Sequence, residues 1–255
     1  MSNSTDHLQR CTASETCGPV AVTGSSGFVG THLLSALQAR GFQVCTLGRS
    51  ALSEIARCDV GERVPLRACE AIIHLAARAH VLDDRSVSLL ELYRKANRDT
   101  TLKLARAASE AGVRRFVFVS SIRVNGSSSS RPFGPGDVPR PEEPYAISKH
   151  EAEVGLWKIA ETTGLEVVVV RPPLVYGPGV KANFRRLLRL AALGVPLPLA
   201  SIDGLRSLIG VRNLCDLLRR CVDHRAAPGR TLLVSDGEDI ALPTLVRELA
   251  AGMPH

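Results

Sequence analysis

The stretch that decides the fold of this chain is Val20-Ala-Val-Thr-Gly-Ser-Ser-Gly-Phe-Val-Gly30. Its first three residues are apolar and predict a short buried strand. Its glycines allow a tight turn, and the apolar periodicity that follows predicts a helix over residues 31–39, ended by Gly41. Residues 43–47 predict a second strand. A glycine-rich turn in this position is typical of a β-α-β unit that holds a pyrophosphate at the helix N-terminus; a turn without a ligand is the alternative.

The residues after the second strand bear on the choice of cofactor. In such units an acid at this point binds the ribose 2′-hydroxyl of NAD, whereas an arginine accommodates the 2′-phosphate of NADP. Here the chain reads Leu47-Gly48-Arg49-Ser50, without an acid. The sequence therefore favours NADP(H) through Arg49, with a solvated surface arginine as the alternative.

The middle of the chain alternates apolar strands with helices. This alternation is typical of an α/β fold with a doubly wound parallel sheet, as in the Rossmann fold. A weak third strand is also expected just before Asp59. The main predicted strands are residues 71–75, 116–119 and 166–170, and the predicted helices are residues 89–111 and 145–163.

Two further features of this part of the chain bear on function. His74 lies inside a predicted strand, which indicates a packing residue rather than a catalyst. Residues 122–143 carry four prolines and a run of serines and form a long loop. Loops of this length are usually functional or mobile.

The pattern changes after Val180. A basic amphipathic helix is predicted over residues 181–193, then a helix from about residue 214, a strand at 232–234 and a last helix near 244–250. We therefore expect three parts: a loose N-terminal tail at residues 1–17, a dinucleotide-binding domain at 18–179 and a smaller substrate-binding region at 180–255.

Composition limits the class of protein. The chain has 255 residues, is 45% hydrophobic and carries a formal charge of +7, which suits anionic partners such as nucleotides. Its basic residues are spread along the chain without a nucleic-acid-reader motif, so no nucleic-acid partner is expected.

No apolar run of about 18 residues predicts a membrane span, and the first residues lack a signal sequence. The seven scattered cysteines show no metal-ligand spacing and indicate reduced thiols, so a cytoplasmic protein without a metal is expected.

Tyr145 and Lys149 stand four residues apart on a predicted helix and therefore share one face. A free phenol has a pKa of about 10, but a nearby ammonium favours the phenolate and lowers this pKa. The pair could then exchange a proton with a substrate oxygen. An ordinary surface pair at helical spacing is the alternative.

Several stretches together resemble the extended short-chain dehydrogenase/reductase family of nucleotide-sugar epimerases, dehydratases and ketoreductases. The resemblance covers roughly residues 19–250. Each stretch is short, but all of them occur in the family's order. They are Val22–Gly30, His74–Ala77, Ser120-Ser121, Tyr145 with Lys149, and Arg171–Gly179.

The resemblance implies roles for individual residues. Tyr145 would be the general acid/base, Lys149 would bind the nicotinamide ribose and hold the pKa of Tyr145 down, and Ser121 would hydrogen-bond the reacting oxygen. Asn97 would order Lys149 through water. The implied cofactor is NAD(P)(H), and a UDP-sugar is the implied substrate. The implied cofactor contacts are Gly24, Ser26, Gly27, Phe28, Val29, Gly30, Arg49, Asp59, Val60, Leu75, Ala76, Ala77, Asn97, Tyr145, Lys149 and Pro172, and the substrate contacts are Ser121, Asn183 and Arg206.

Three short stretches, 77–81, 180–184 and 233–239, resemble more closely the bacterial 4-ketoreductases that make UDP-N-acetylquinovosamine for lipopolysaccharide O-antigen. This implies NAD(P)H-dependent reduction of a UDP-4-keto-6-deoxy-N-acetylhexosamine. A UDP-sugar 4-epimerase, which would use the same residues, is the alternative. A homodimer that pairs the helices at 89–111 and 145–163 is also implied.

The sequence also departs from this family. Thr100 and Arg212 stand where the family usually has Gly and Asp, and the link from Asp59 to Ala71 is short. The chain ends at His255, before the family's usual end, so the substrate-binding region is expected to be incomplete. A truncated, non-catalytic dinucleotide-binding protein is therefore the alternative from another class.

Overall fold

A computed structural model describes residues 18–57, 66–78, 88–180, 184, 187 and 204–251. Its centre is a six-stranded sheet in the order β2-β1-β3-β4-β5-β8. Every neighbouring pair in this sheet is parallel, which confirms the predicted doubly wound, Rossmann-like fold. The strands are β1 (Val20–Thr23), β2 (Val44–Leu47), β3 (Ala71–His74), β4 (Arg115–Val119), β5 (Glu166–Arg171) and β8 (Arg230–Leu233).

Helices cover both faces of this sheet. Alternate strand residues point to opposite faces, so Ile72 and Phe116 join one buried cluster while Ile73 and Val117 join the other. Among the described residues, no helix is long and apolar enough to cross a membrane. The helices are α1 (Phe28–Gln38), α2 (Arg49–Arg57), α3 (Leu89–Tyr93), a π-helical segment (Arg94–Asp99), α4 (Thr100–Glu110), α5 (Pro144–Thr163), α6 (Val211–Asp223) and α7 (Leu242–Ala251), with a 3₁₀ turn at Ile122–Val124.

A second, three-stranded sheet has the order β6-β7-β9. Its core is small, with Phe184 and Leu208 packed against Leu245 of α7. The residues after 180 contribute to both sheets, since β8 pairs with β5 and α6 packs against α1. The strands of the second sheet are β6 (Leu174–Tyr176), β7 (Leu205–Gly210) and β9 (Asp239–Ala241).

Several predicted elements differ in the structure. The prediction of a weak strand just before Asp59 is wrong for the residues up to Arg57. Residues 49–57 form the helix α2 instead, and this helix packs Ala51 and Leu52 against the core. The single helix predicted over 89–111 contains the π-helical segment. The helix expected from about residue 214 begins at Val211. The basic helix predicted over 181–193 falls largely outside the described residues.

Two glycines allow close approach at the ends of β1 and β3. Gly24 lies in the turn after β1 and contacts the turn after β3, and Gly30 of α1 packs against the turn after β1. Gly24 has φ +67°, and a Cβ there would lie 2.8 Å from the backbone nitrogen of Ala76. A Cβ on Gly30 would lie 2.2 Å from the carbonyl oxygen of Gly24. Neither position can accept a side chain without moving backbone, so these glycines fix where α1 begins.

We predict that Gly30→Ala lowers the free energy of unfolding by about 1–3 kcal/mol, because the added methyl group overlaps the Gly24 carbonyl. Gly48→Ala is the matched control, since nothing lies within 4 Å of a Cβ at that position. The control should change stability by less than about 0.5 kcal/mol. Urea unfolding of the two variants measures the difference, and equal midpoints would contradict the close approach.

Candidate active site

The candidate site lies at the carboxyl edge of the large sheet, where the chain leaves the neighbouring strands β1 and β3 in opposite directions along the sheet. This is the switch point at which open parallel sheets bind ligands. Gly27 precedes α1, no side chain caps this helix, and its first turn carries no acid. Its first backbone N–H groups are therefore available to an anion. Together with the close turn at Gly24, these groups fit the pyrophosphate of a dinucleotide.

Hydrogen bonding and strand pairing connect some of the other predicted cofactor contacts to this turn. Ala76 donates its backbone N–H to Thr23 Oγ1 at 3.1 Å, which holds the turn after β3 against the end of β1. Thr23 is paired with Leu47 of β2, so the exposed Arg49 follows the end of the adjacent strand. The remaining contacts that were predicted here are exposed (Ser26, Ala77), partly buried (Gly24, Gly27, Phe28, Val29, Leu75, Ala76) or buried (Gly30, Pro172).

Tyr145 and Lys149 occupy the first turns of α5, which begins at Pro144. The helix buries Lys149 to 1% exposure, and its Nζ lies 4.0 Å from the centre of the Phe118 ring on β4. The Tyr145 ring meets Tyr93 edge-on, with 5.9 Å between ring centres. Tyr145 and Lys149 therefore pack against aromatic rings of neighbouring elements and do not form a solvated surface pair.

Burial sets the protonation of both side chains. It lowers the pKa of Lys149 to about 7, opposed by the charge of Glu153. Burial, and then Tyr93, raises the pKa of Tyr145 to about 12. The expectation that Lys149 holds the pKa of Tyr145 down is therefore wrong for the protein alone, because desolvation of the phenolate raises this pKa and Tyr93 adds to the effect. At neutral pH the Tyr145 hydroxyl is a proton donor.

Asn97 joins the turn after β3 to the start of α5. Its Oδ1 accepts the backbone N–H of Arg78 at 2.8 Å. Its Nδ2 donates to the Arg78 carbonyl at 3.2 Å and to Ser148 Oγ at 3.0 Å. Ser148 Oγ in turn donates to the carbonyl of Tyr145 at 2.7 Å. Asn97 lies in the π-helical segment, a local geometry that is frequent at functional sites.

Ser121 follows β4, and its Oγ accepts the backbone N–H of Arg123 at 3.2 Å. The guanidinium of Arg123 pairs with Glu143, the residue before α5. Ile122 donates its N–H to the carbonyl of Pro172 at 3.0 Å. The serine turn is therefore tied both to the start of α5 and to the end of β5.

A buried ion pair supports this region, and the sequence did not single it out. Arg171 Nε donates to Glu153 Oε1 at 3.0 Å, and Arg171 Nη1 donates to Asn125 Oδ1 at 2.9 Å. Glu153 lies four residues after Lys149 on α5, a spacing that could have marked it as part of the same helix face. Burial raises the pKa of Glu153, but His150, whose Nδ1 lies 3.9 Å from Oε2, and the hydrogen bonds and charge of Arg171 outweigh it and leave this pKa lowered.

The predicted substrate contacts are less closely assembled. Arg206 is exposed on β7 and pairs across the second sheet with Ile240, and no hydrogen bond or ion pair within the described residues joins it to Tyr145. Asn183, Asp59 and Val60 lie outside the described residues. Within the described part of the chain, no three His, Cys, Asp or Glu side chains are grouped so that they could hold a metal ion.

The fold and this edge of the sheet define an NAD(P)-dependent enzyme of the nucleotide-sugar oxidoreductase/epimerase class. The chain belongs to the NAD dependent epimerase/dehydratase family, whose model matches residues 20–234.

Individual relatives extend over most of the chain. This chain is 42% identical over 250 residues to the UDP-glucose 4-epimerase of Vibrio cholerae. The match covers 92% of this chain and 75% of that protein. The structure of MoeE5 in complex with UDP-glucose and NAD matches 92% of this chain and 81% of its own, with a TM-score of 0.77 and 27% identity. The structure of RMD from Pseudomonas aeruginosa complexed with NADPH matches 92% of this chain and 83% of its own chain, with a TM-score of 0.76 and 29% identity. These matches support NAD(P) as the cofactor class.

We predict that Lys149→Met stabilises the protein at neutral pH and that this gain shrinks as pH rises. The pKa of Lys149 is about 7 when folded and about 10.5 when unfolded, so the unfolded chain binds more protons between these values. The free energy of unfolding of the wild type therefore rises from pH 7 towards pH 10, and the methionine variant lacks this contribution.

Urea unfolding at pH 7 and pH 10 measures the effect. Lys158→Met is the matched control, because Lys158 is exposed on the same helix. The control should keep the pH dependence of the wild type. An Lys149→Met variant with the same pH dependence as the control would contradict a buried, depressed lysine.

Proposed function

We propose that this protein reduces the 4-keto group of a UDP-4-keto-6-deoxy-N-acetylhexosamine with NAD(P)H, in the synthesis of a sugar for lipopolysaccharide O-antigen. The observation that carries the proposal is the placement of Tyr145. It stands one helical turn from a buried lysine, on a helix that Asn97 joins to the turn after β3, and burial raises its pKa, so its hydroxyl can donate a proton at neutral pH. A carbonyl that becomes a hydroxyl needs a proton donor of this kind.

Each residue at the edge of the sheet has a distinct part in this reaction. When bound, the reduced nicotinamide supplies the hydride that the carbonyl carbon receives. Tyr145 gives its hydroxyl proton to the carbonyl oxygen, and Ser121 donates a hydrogen bond to the same oxygen. Lys149 binds the ribose of the cofactor and returns the local charge towards neutrality as Tyr145 loses its proton.

The sugar nucleotide is assigned to the residues after 180. Arg206 is exposed and positively charged, which suits a diphosphate, and Asn183 would bind the sugar. The MoeE5 structure, which holds UDP-glucose, supports a UDP-sugar as the substrate class. This assignment keeps residues 18–179 for the dinucleotide and 180–255 for the substrate.

We further propose NADPH as the preferred cofactor because Arg49 follows β2 beside the glycine turn. Arg49→Ser should raise the Kd for NADPH by roughly tenfold to a hundredfold, since it removes a charged hydrogen bond to the 2′-phosphate, and should leave the Kd for NADH unchanged. Arg40→Ser, an exposed arginine at the other end of α1, is the control. Nucleotide fluorescence measures both constants, and equal changes for NADH and NADPH would refute the role of Arg49.

A second candidate function is a UDP-sugar 4-epimerase. The 42% sequence identity to the UDP-glucose 4-epimerase of Vibrio cholerae favours this second function. An epimerase would use the same residues, Tyr145, Lys149 and Ser121, but Tyr145 would first accept and then return the hydroxyl proton at C4, and bound NAD would supply the acceptor for the C4 hydride. It would regenerate its cofactor in each cycle and consume none, so cofactor consumption separates the two functions.

The assay follows the absorbance of NADPH or NADH with a UDP-4-keto-6-deoxy-N-acetylhexosamine. We expect stoichiometric loss of the reduced nicotinamide and a fall in rate of about 10²–10⁴ in Tyr145→Phe, which keeps the ring but lacks the proton. Normal turnover by that variant would show that Tyr145 is not the acid. No loss with the wild type, but conversion of UDP-glucose or UDP-N-acetylglucosamine, would replace the reductase by the epimerase. Cofactor binding without either reaction would favour the non-catalytic alternative.

A further inference from the structure

His74 is enclosed between two hydroxyl groups beneath the candidate site. Its ring is 1% exposed in β3. Its Nδ1 lies 2.7 Å from Thr23 Oγ1, and its Nε2 lies 2.9 Å from Thr101 Oγ1. The two threonines belong to different elements, β1 and α4, so one ring connects the two.

The direction of these hydrogen bonds follows from their neighbours. Thr101 Oγ1 gives its proton to the carbonyl of Asn97, so it accepts the Nε2–H of His74. Burial, and then the charge of Lys149, lowers the pKa of His74 to about 3, so the ring is neutral and Nδ1 accepts the Thr23 hydroxyl proton. Thr23 Oγ1 is then free to accept the N–H of Ala76. A single tautomer satisfies all four hydrogen bonds.

Both ends of this chain of hydrogen bonds reach the turn after β3. One end is the backbone of Ala76, which faces Gly24 across the switch point. The other end is the Asn97 carbonyl, and the side chain of the same residue binds the backbone of Arg78. His74 thus closes a ring of contacts around the turn that contains the predicted cofactor residues.

The ring of His74 also supports Lys149. It stacks on Phe118 with 5.9 Å between ring centres and 18° between planes. The ammonium of Lys149 lies 4.0 Å from the centre of the same phenylalanine ring. The histidine is therefore connected to the turn after β3 through Thr23, and it stacks on the aromatic ring that lies against the Lys149 ammonium.

We propose that His74 is a positioning residue for the dinucleotide: it holds residues 75–78 and Asn97 in the binding arrangement before the cofactor arrives. The sequence alone indicated only a packing residue. The proposal rests on the proposed placement of the dinucleotide, and it is independent of the choice between reduction and epimerisation. It predicts that loss of the hydrogen bonds weakens cofactor binding selectively, whereas a packing role predicts lost stability alone.

The test measures the Kd for NADH by fluorescence and the Kd for UDP by calorimetry in folded variants. Thr101→Val is close to isosteric and removes the hydroxyl proton from the Asn97 carbonyl; it should raise the Kd for NADH about threefold to tenfold. His74→Leu should raise it about tenfold or more, and the double variant should be no worse than His74→Leu, because both residues act through one chain of hydrogen bonds. The Kd for UDP should not change.

Conservative replacements separate the two halves of the chain. In His74→Gln the amide nitrogen can reach Thr101, whereas in His74→Asn the amide oxygen can reach Thr23. Each should recover part of the NADH affinity that His74→Leu loses. Ile72→Ala is the matched control, because Ile72 is fully buried two residues earlier on the same face of β3. It should lower stability without a selective change in NADH affinity.

Three results would overturn the proposal. They are an unchanged Kd for NADH in folded Thr101→Val and His74→Leu, equal weakening of NADH and UDP, or the same loss of NADH affinity in Ile72→Ala. Thr101→Val keeps the test available if His74→Leu does not fold. Failure of the wild type itself to bind either NADH or NADPH would instead refute the proposed dinucleotide site.

Discussion

The structure depends on the contact between two backbone turns at the switch point of the sheet. Gly24 and Ala76 approach so closely that no side chain fits between them. This contact fixes where α1 begins, and it leaves the uncapped N–H groups of that helix facing the crevice. The turn after β3, Asn97 and the first turn of α5 are then connected to it by hydrogen bonds. A displacement at the switch point would therefore reach Tyr145 through the side-chain hydrogen bonds of Asn97 and Ser148.

The candidate site carries a cost in stability. An ammonium at 1% exposure loses most of its hydration, and the Phe118 ring replaces only part of it. The Glu153 carboxylate partly offsets this cost, and it is itself held by Arg171. A buried ion pair is weak evidence for stability, but removing one partner would leave an uncompensated charge. Proteins commonly accept such a cost at functional sites.

Local signals in the sequence were sufficient for the large sheet and for part of the site. The strand, the glycine turn and the helix of residues 20–39 are recognisable because each has its own periodicity. The Tyr145 and Lys149 pair is visible because helical spacing alone puts the two on one face. What the sequence could not give depends on distant residues. The hydrogen bonds of Asn97 and His74 join residues 19 to 51 positions apart.

The same limit explains the wrong expectations. The pKa of Tyr145 was judged from its nearest charged neighbour, but desolvation depends on residues packed from several elements. The segment before Asp59 has too short a pattern to tell a strand from a helix, and packing of Ala51 and Leu52 decided it. His74 is buried, as its place in a strand predicts, but its two hydroxyl partners, Thr23 and Thr101, cannot be inferred from the strand pattern.

The most direct measurement is a crystal structure of the protein with NADPH and UDP. We expect the pyrophosphate of NADPH at the N-terminus of α1, over Gly24 and Gly27, and the nicotinamide beside Tyr145 and Lys149. We also expect UDP on the side of Arg206. A dinucleotide bound elsewhere, or a nicotinamide far from Tyr145, would contradict the account.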